Sequence, residues 1–152
     1  MNQRELTQLL EEKFPGLRRQ AAYGEATFFY NPGNRFQRGT YFCTIKEQDG
    51  PNDTASNLSR NGVWRFNFGL PRFRYTELFG PPATRPAKGN VIAGAWDFHQ
   101  LDRLMPHPVY GWMGWVCILN PSDKMIGTIW PEIERAHQKA RQSFERRVSK
   151  ET

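Results

Sequence analysis

Asp97, His99, Asp102 and His107 form the one grouping in this 152-residue chain whose types suit a metal or a proton transfer. A His–Asp–His set can hold Zn or Fe, and a histidine beside a carboxylate can work as an acid–base pair. The spacing gives little support to either. Asp97 and His99 are too close in sequence to share a helical face, whereas His99 and Asp102 do share one. The H-E-x-x-H pattern and the facial-triad spacing are absent. No metal and no bound cofactor is therefore expected. His107 on its own is the better candidate. Pro106 and Pro108 flank it and restrict its backbone, so its imidazole is held in a nearly fixed direction. It then serves either a site or a backbone group at the point where a loop enters the sheet. His137, beside Ala136, is expected at the rim of the last helix.

A second grouping is basic and aromatic. Arg65 and Asn67 share one face of a strand, and Arg72 and Arg74 follow, alternating with Phe73 and Tyr75. The net charge is +6, and from Arg60 to Lys88 six basic residues face a single acid, Glu77. Arginines next to exposed aromatics suit phosphate contact and base stacking. The same residues also suit a core whose arginines reach around its edge to water. No nucleophile stands out. Cys43 and Cys117 lie far apart in apolar strands without C-x-x-C spacing. Ser122 follows Asn120-Pro121 and reads as a turn or cap, and no G-x-S-x-G elbow is present.

The elements that must position these residues follow from periodicity. Asn2 and Glu5 have capping-box spacing, and Leu6, Leu9, Leu10 and Phe14 form one stripe, predicting a helix from Asn2 to Phe14 closed by Pro15-Gly16. Strands are predicted at Ala26 to Asn31 and Thr40 to Lys46, with Asn31-Pro32-Gly33-Asn34 opening the turn between them. A third strand, Val63 to Gly69, alternates cleanly: Trp64, Phe66 and Phe68 on one side, Val63, Arg65 and Asn67 on the other. Short helices are predicted near Thr54 to Arg60, at Pro71 to Phe79, and from Asp97 to Met105. A strand follows at Trp112 to Leu119. A last helix opens near Pro131 and runs to about Val148, with Ile133, Ala136, Ala140, Phe144 and Val148 inward. Gly80 to Asn90, with three prolines and two glycines, reads as a surface loop. Trp64, Phe66, Phe68, Trp115 and Phe144 are the expected core aromatics.

This order predicts a single α+β domain over 1–152: an antiparallel sheet with N-terminal and long C-terminal helices packed on it, plus short helices in the connections. A doubly wound nucleotide fold is excluded by the lack of β-α-β alternation and of a Gly-rich phosphate loop. No apolar run is long enough for a membrane helix. The start of the chain reads as a charged helix and not as a signal core, so a cytosolic setting is expected.

The Val63-to-Gly69 strand and the stretch Pro106-His107-Pro108-Val109-Tyr110-Gly111-Trp112, continued by Trp115-Val116-Cys117-Ile118-Leu119-Asn120-Pro121-Ser122, resemble an uncharacterised bacterial protein family. Its members carry an R-x-N strand and this stretch before a C-terminal helix. The resemblance covers most of the chain and carries no catalytic residues with it. In layout alone the chain is similar to MmcQ/YjbR-like proteins, small bacterial α+β domains for which DNA binding has been suggested from shape. The leading expectation is a non-catalytic binding module for an anionic partner, DNA or RNA first, through Arg65, Arg72 and Arg74. The alternative is a small-molecule-binding protein or enzyme, its ligand a small anion, with a pocket around His107, Arg65 and Asn67 lined by Tyr110 and Trp112.

Overall fold

A computed structural model describes residues 1–151. Helix α1 spans Gln3–Lys13 and begins with the expected capping box: the Asn2 side chain accepts from Glu5 N at 2.8 Å, and Glu5 Oε1 accepts from Asn2 N at 3.2 Å. Strands β1 (Leu17–Ala22), β2 (Glu25–Tyr30), β3 (Thr40–Lys46) and β4 (Arg65–Gly69) follow, then α2 (Arg72–Phe79), β5 (Met105–Pro106), β6 (Trp115–Leu119) and α3 (Asp123–Lys150). They form one six-stranded sheet in the order β1-β2-β3-β4-β6-β5, with every pair antiparallel. The fold is α+β.

The two faces of the sheet differ. One carries Phe28, Cys43, Ile45, Phe66, Phe68, Val116 and Ile118, packed against Leu6 and Leu10 of α1 and Ile126, Ile129, Ile133, Ala136 and Ala140 of α3. Register makes the other face polar. Thr44 lies opposite Thr27 and Asn67, and Lys46 lies opposite Glu25 and Arg65. Residues alternate along each strand, so one register places Phe28, Phe66 and Phe68 inward and these polar groups outward. Two irregular segments cover part of this second face. The 47–63 loop lies over β4, with Ser56 and Leu58 buried. The 80–110 segment covers β5 and β6 through a small cluster of Ile92, Phe98, Met105 and Cys117.

Several local expectations are corrected. Strand β1 lacks an apolar alternation because it is an edge strand exposed along almost its whole length. The predicted helix from Asp97 does not form. Asp97 Oδ1 accepts from His99 N at 3.1 Å in a turn, and Met105-Pro106 are drawn onto β6 as β5. No helix forms over 54–60, where turns lead into β4. Helix α3 starts eight residues earlier than Pro131 suggests: Ser122 is its N-cap, accepting from Met125 N at 3.1 Å, and Pro131 lies inside it. A proline there has no N–H for the Gly127 carbonyl one turn earlier, and α3 tolerates this because its apolar stripe is anchored on both sides of the break. Trp64, Phe66, Phe68 and Phe144 are buried, whereas Trp115 is half-buried.

Candidate functional site

Arg65 extends from the middle of the sheet onto the polar face and is fully buried there, at 0% exposure. A buried guanidinium must find an acceptor for each N–H. Nη1 donates to Asp53 Oδ1 at 3.0 Å and to Ser56 Oγ at 2.9 Å, Nη2 donates to Asp53 Oδ2, and Nε donates to Asn67 Oδ1 at 2.7 Å. Asn67 passes the chain on, its Nδ2 donating to Thr44 Oγ1 at 2.9 Å. Asp53 is positioned by a tight turn in which Gly50 N donates to Asp53 O and Asp53 N to Gly50 O. Although burial opposes ionisation, the Arg65 guanidinium holds the Asp53 carboxyl below its ordinary range. Burial likewise disfavours the charged guanidinium, but the bonds to Asp53 keep the Arg65 pKa above its usual value.

His107 closes this network from the β5 side. Its backbone N donates to Trp115 O at 3.0 Å, which fixes the point where the chain leaves the sheet. Its Nδ1 then accepts from both Val109 N and Tyr110 N, each at 3.0 Å. Accepting at Nδ1 leaves a neutral ring with its proton on Nε2. That Nε2 lies 3.3 Å from Arg65 Nη2. Two donors therefore face each other, and both point at a place where an acceptor belongs. Burial pushes the His107 pKa well below its ordinary value, and the Arg65 guanidinium and, more weakly, the Lys46 ammonium push the same way, against Asp53. The ring is neutral at neutral pH.

The open part of the polar face is a groove of about 930 Å³. Thr27, Thr44, Lys46 and Asp53 line one end, His107, Tyr110 and Trp115 one wall, and Lys139 and Arg147 of α3 the far end. Trp115 lies flat across β4 because its cross-strand partner is Gly69: a Cβ there would come within 2.9 Å of the indole.

The structure thus brings Arg65, Asn67 and His107 together, with Tyr110 beside the His107 ring at a centroid distance of 5.1 Å. It separates them from the other candidates. Arg74 is held by Glu132, Nε to Oε2 at 2.8 Å and to Oε1 at 3.0 Å. Arg72 is exposed and donates to Trp112 O at 3.3 Å, and Trp112 carries Arg85 over its ring at 5.0 Å. Buried Arg65 cannot share an exposed strip with them. The Asp97–His99–Asp102–His107 grouping does not converge either: Asp102 Oδ1 accepts from Ser122 N, His99 is exposed, and His107 belongs to the Arg65 network. Among the described residues no cluster of three or more His, Cys, Asp or Glu could hold a metal ion. No helix among them is long and apolar enough to cross a membrane. His137 is half-buried and stacks on Phe14 at 4.4 Å, deeper than a rim position.

Asp53, Ser56 and Lys46 escape sequence reasoning, because turn-rich polar segments carry no periodicity. A usable signal was present all the same. An arginine facing away from three aromatics in a central strand needs a carboxylate, and the preceding loop offers only Glu47, Asp49 and Asp53.

His107→Asn tests the tautomer argument, since Asn Oδ1 can accept the same two backbone N–H groups as an Asx turn. In the wild type the native ring stays unprotonated while the unfolded one takes a proton below pH about 6.5, so stability falls as pH drops through that value. The expected contribution is at most about 1.4 kcal/mol per pH unit. Half-buried His137 acts in the same direction, so the quantity to measure is the difference between wild type and variant in urea unfolding from pH 7.5 to 5. The variant should match the wild type at pH 7.5 and show the shallower slope. Equal slopes would mean that His107 is protonated in the native protein.

No curated protein and no solved structure matches the chain. The model of the family of unknown function DUF6194 matches residues 1–149, and the chain belongs to that family.

Proposed function

We propose that the protein binds a small molecule in the groove on the polar face of its sheet. The observation that carries this reading is the floor of the groove. A buried Asp53–Arg65 pair, bonded to Asn67 and Ser56 and closed by His107, occupies the place where a core would otherwise put apolar side chains. Buried ion pairs rarely add net stability over well-packed apolar residues, and perturbed titrating groups beside a concavity favour a site. No reaction is assigned to it, and the Cys117 thiol, which does not line the groove, is buried and pushed up to about 12 by burial.

The test is thermal unfolding with panels of small carboxylates, amino acids, sugar phosphates and nucleotides, repeated with Thr27→Trp, which fills the groove without touching the Arg65 network. A ligand at one hundred times its Kd stabilises by about 2.7 kcal/mol. At least one compound should raise the wild-type Tm and leave Thr27→Trp unmoved. No shift with any panel, or equal shifts in both proteins, would count against the groove. A second reading, nucleic-acid binding as suggested for MmcQ/YjbR-like proteins, is favoured by the exposed Arg72–Trp112–Arg85 patch beside exposed Phe73. Duplex and single-stranded probes at low salt distinguish it: a salt-sensitive shift lost in Arg72→Ala/Arg85→Ala would support that patch as the working surface.

A further inference from the structure

Lys46 lines the groove and makes no hydrogen bond or ion pair among the described residues, though its charge acts on Asp53 at longer range. Its residue exposure is 8%, so more than nine-tenths of it is covered. No oxygen of the described residues lies within hydrogen-bonding or ion-pairing distance of its Nζ. Glu25 sits opposite it across the β2–β3 ladder without closing a pair, and Asp53 is committed to Arg65. Gly50 of the loop packs close beside the ammonium, where a Cβ would approach Nζ to 3.2 Å. Lys46 Nζ keeps a contact with the groove, since among the described residues only His137 Nε2 is fully enclosed without a hydrogen-bond partner, so an anion entering the groove can reach it. His107 lines the adjoining wall of the groove, near enough for the Lys46 charge to act on its ring. There the Nε2–H of His107 and the fifth N–H of Arg65 both lack an acceptor, since the other four guanidinium N–H groups are taken.

We propose that the Lys46 end of the groove is the receptor for the carboxylate of a small organic acid, received by Lys46 Nζ and His107 Nε2–H. The inference rests on the groove being a binding site and names the class of its ligand. Charge decides for a carboxylate over a phosphate. The end offers one ammonium outside any salt bridge and one neutral donor, and Asp53 and Glu25 stand nearby to repel a dianion. No glycine-rich nest or helix N-terminus lines it. The wall beyond it is apolar and aromatic, made by Val109, Tyr110, Met113 and Trp115. That wall suits an acid with an aryl or alkyl body. Glu25, opposite Lys46 on the neighbouring strand, then repels the incoming carboxylate.

The probes are 3-phenylpropionate, its neutral amide, and inorganic phosphate, each titrated into the whole protein. The readouts are the His107 ring nitrogen signals by NMR and tryptophan fluorescence. The acid should move the Nε2 signal and bind at least tenfold more tightly than the amide. Lys46→Met should weaken the acid at least tenfold and leave the amide unchanged, and Glu25→Gln should tighten the acid several-fold. The acid–amide comparison on wild type stands even if Lys46→Met does not fold. Amide and acid binding equally well would overturn the carboxylate assignment and leave the groove standing as a site. Phosphate moving the Nε2 signal more strongly than the acid would overturn it in favour of a phosphate ligand. If none of the three moves either readout, the carboxylate proposal is overturned; the groove itself is judged separately by the Thr27→Trp panels.

Discussion

Asp53→Ala is expected to lower the free energy of unfolding by about 3–5 kcal/mol, the cost of leaving a buried charge without its partner. Arg65 has no exposure with which to recover water, and two of its N–H groups end on that carboxylate. Arg65→Met should cost less, because the Asp53 side chain keeps 15% exposure and can rehydrate. The double variant Asp53→Ala/Arg65→Met should regain part of the loss, since no charge is then stranded. Urea unfolding at pH 7.5 measures all three. If Asp53→Ala falls within about 1 kcal/mol of wild type, Arg65 is reached by water and the floor of the groove is looser than described.

The second large effect lies on the opposite face. Phe66→Ala should cost about 3–5 kcal/mol, the range for truncating a large core aromatic. Phe66 is fully buried, its ring 5.2 Å from that of Phe68, within the cluster that α1 and α3 cover. Phe73→Ala is the control, because Phe73 is 61% exposed and surface changes usually stay within about 0.5 kcal/mol. Thermal unfolding separates the two. An unchanged Tm in Phe66→Ala would invert the facing of β4, placing Arg65 and Asn67 among the helices.

Legibility followed periodicity. The Trp64-Phe66-Phe68 alternation, the α1 capping box and the Ile133-Ala136-Ala140-Phe144 stripe were readable because each repeats at the period of its element. β1 was not, because a strand exposed along most of its length need not alternate, and β5 was not, because two residues have no period. The Asp97 capping pattern was real but local: it closed a turn, and pairing of Met105-Pro106 with β6 overrode the helix. At the site, the outward face of Arg65 and Asn67 and the restraint on His107 were legible. What Arg65 meets was not, since Asp53 and Ser56 reach it from an irregular loop whose path depends on the finished sheet. Trp115 was placed in the core because a large aromatic in a strand usually belongs there. Gly69 opposite it is the residue that lets it lie in the groove wall instead.

The strict division of labour between the two sides of β4 also bears on how the chain avoids misassembly. Sliding β4 by one residue against β3 would swap its sides, driving Arg65 and Asn67 into the layer under α1 and α3 and turning Phe66 and Phe68 toward water. Each shifted arrangement strands a cation in hydrocarbon and loses two rings, so neighbouring alignments are separated from the native one by a wide energy gap. The Asp53–Arg65 pair forms only when the strand is aligned and the preceding loop has folded back over it. It therefore acts as a proofreading clasp on the assembly, whatever occupies the groove above it.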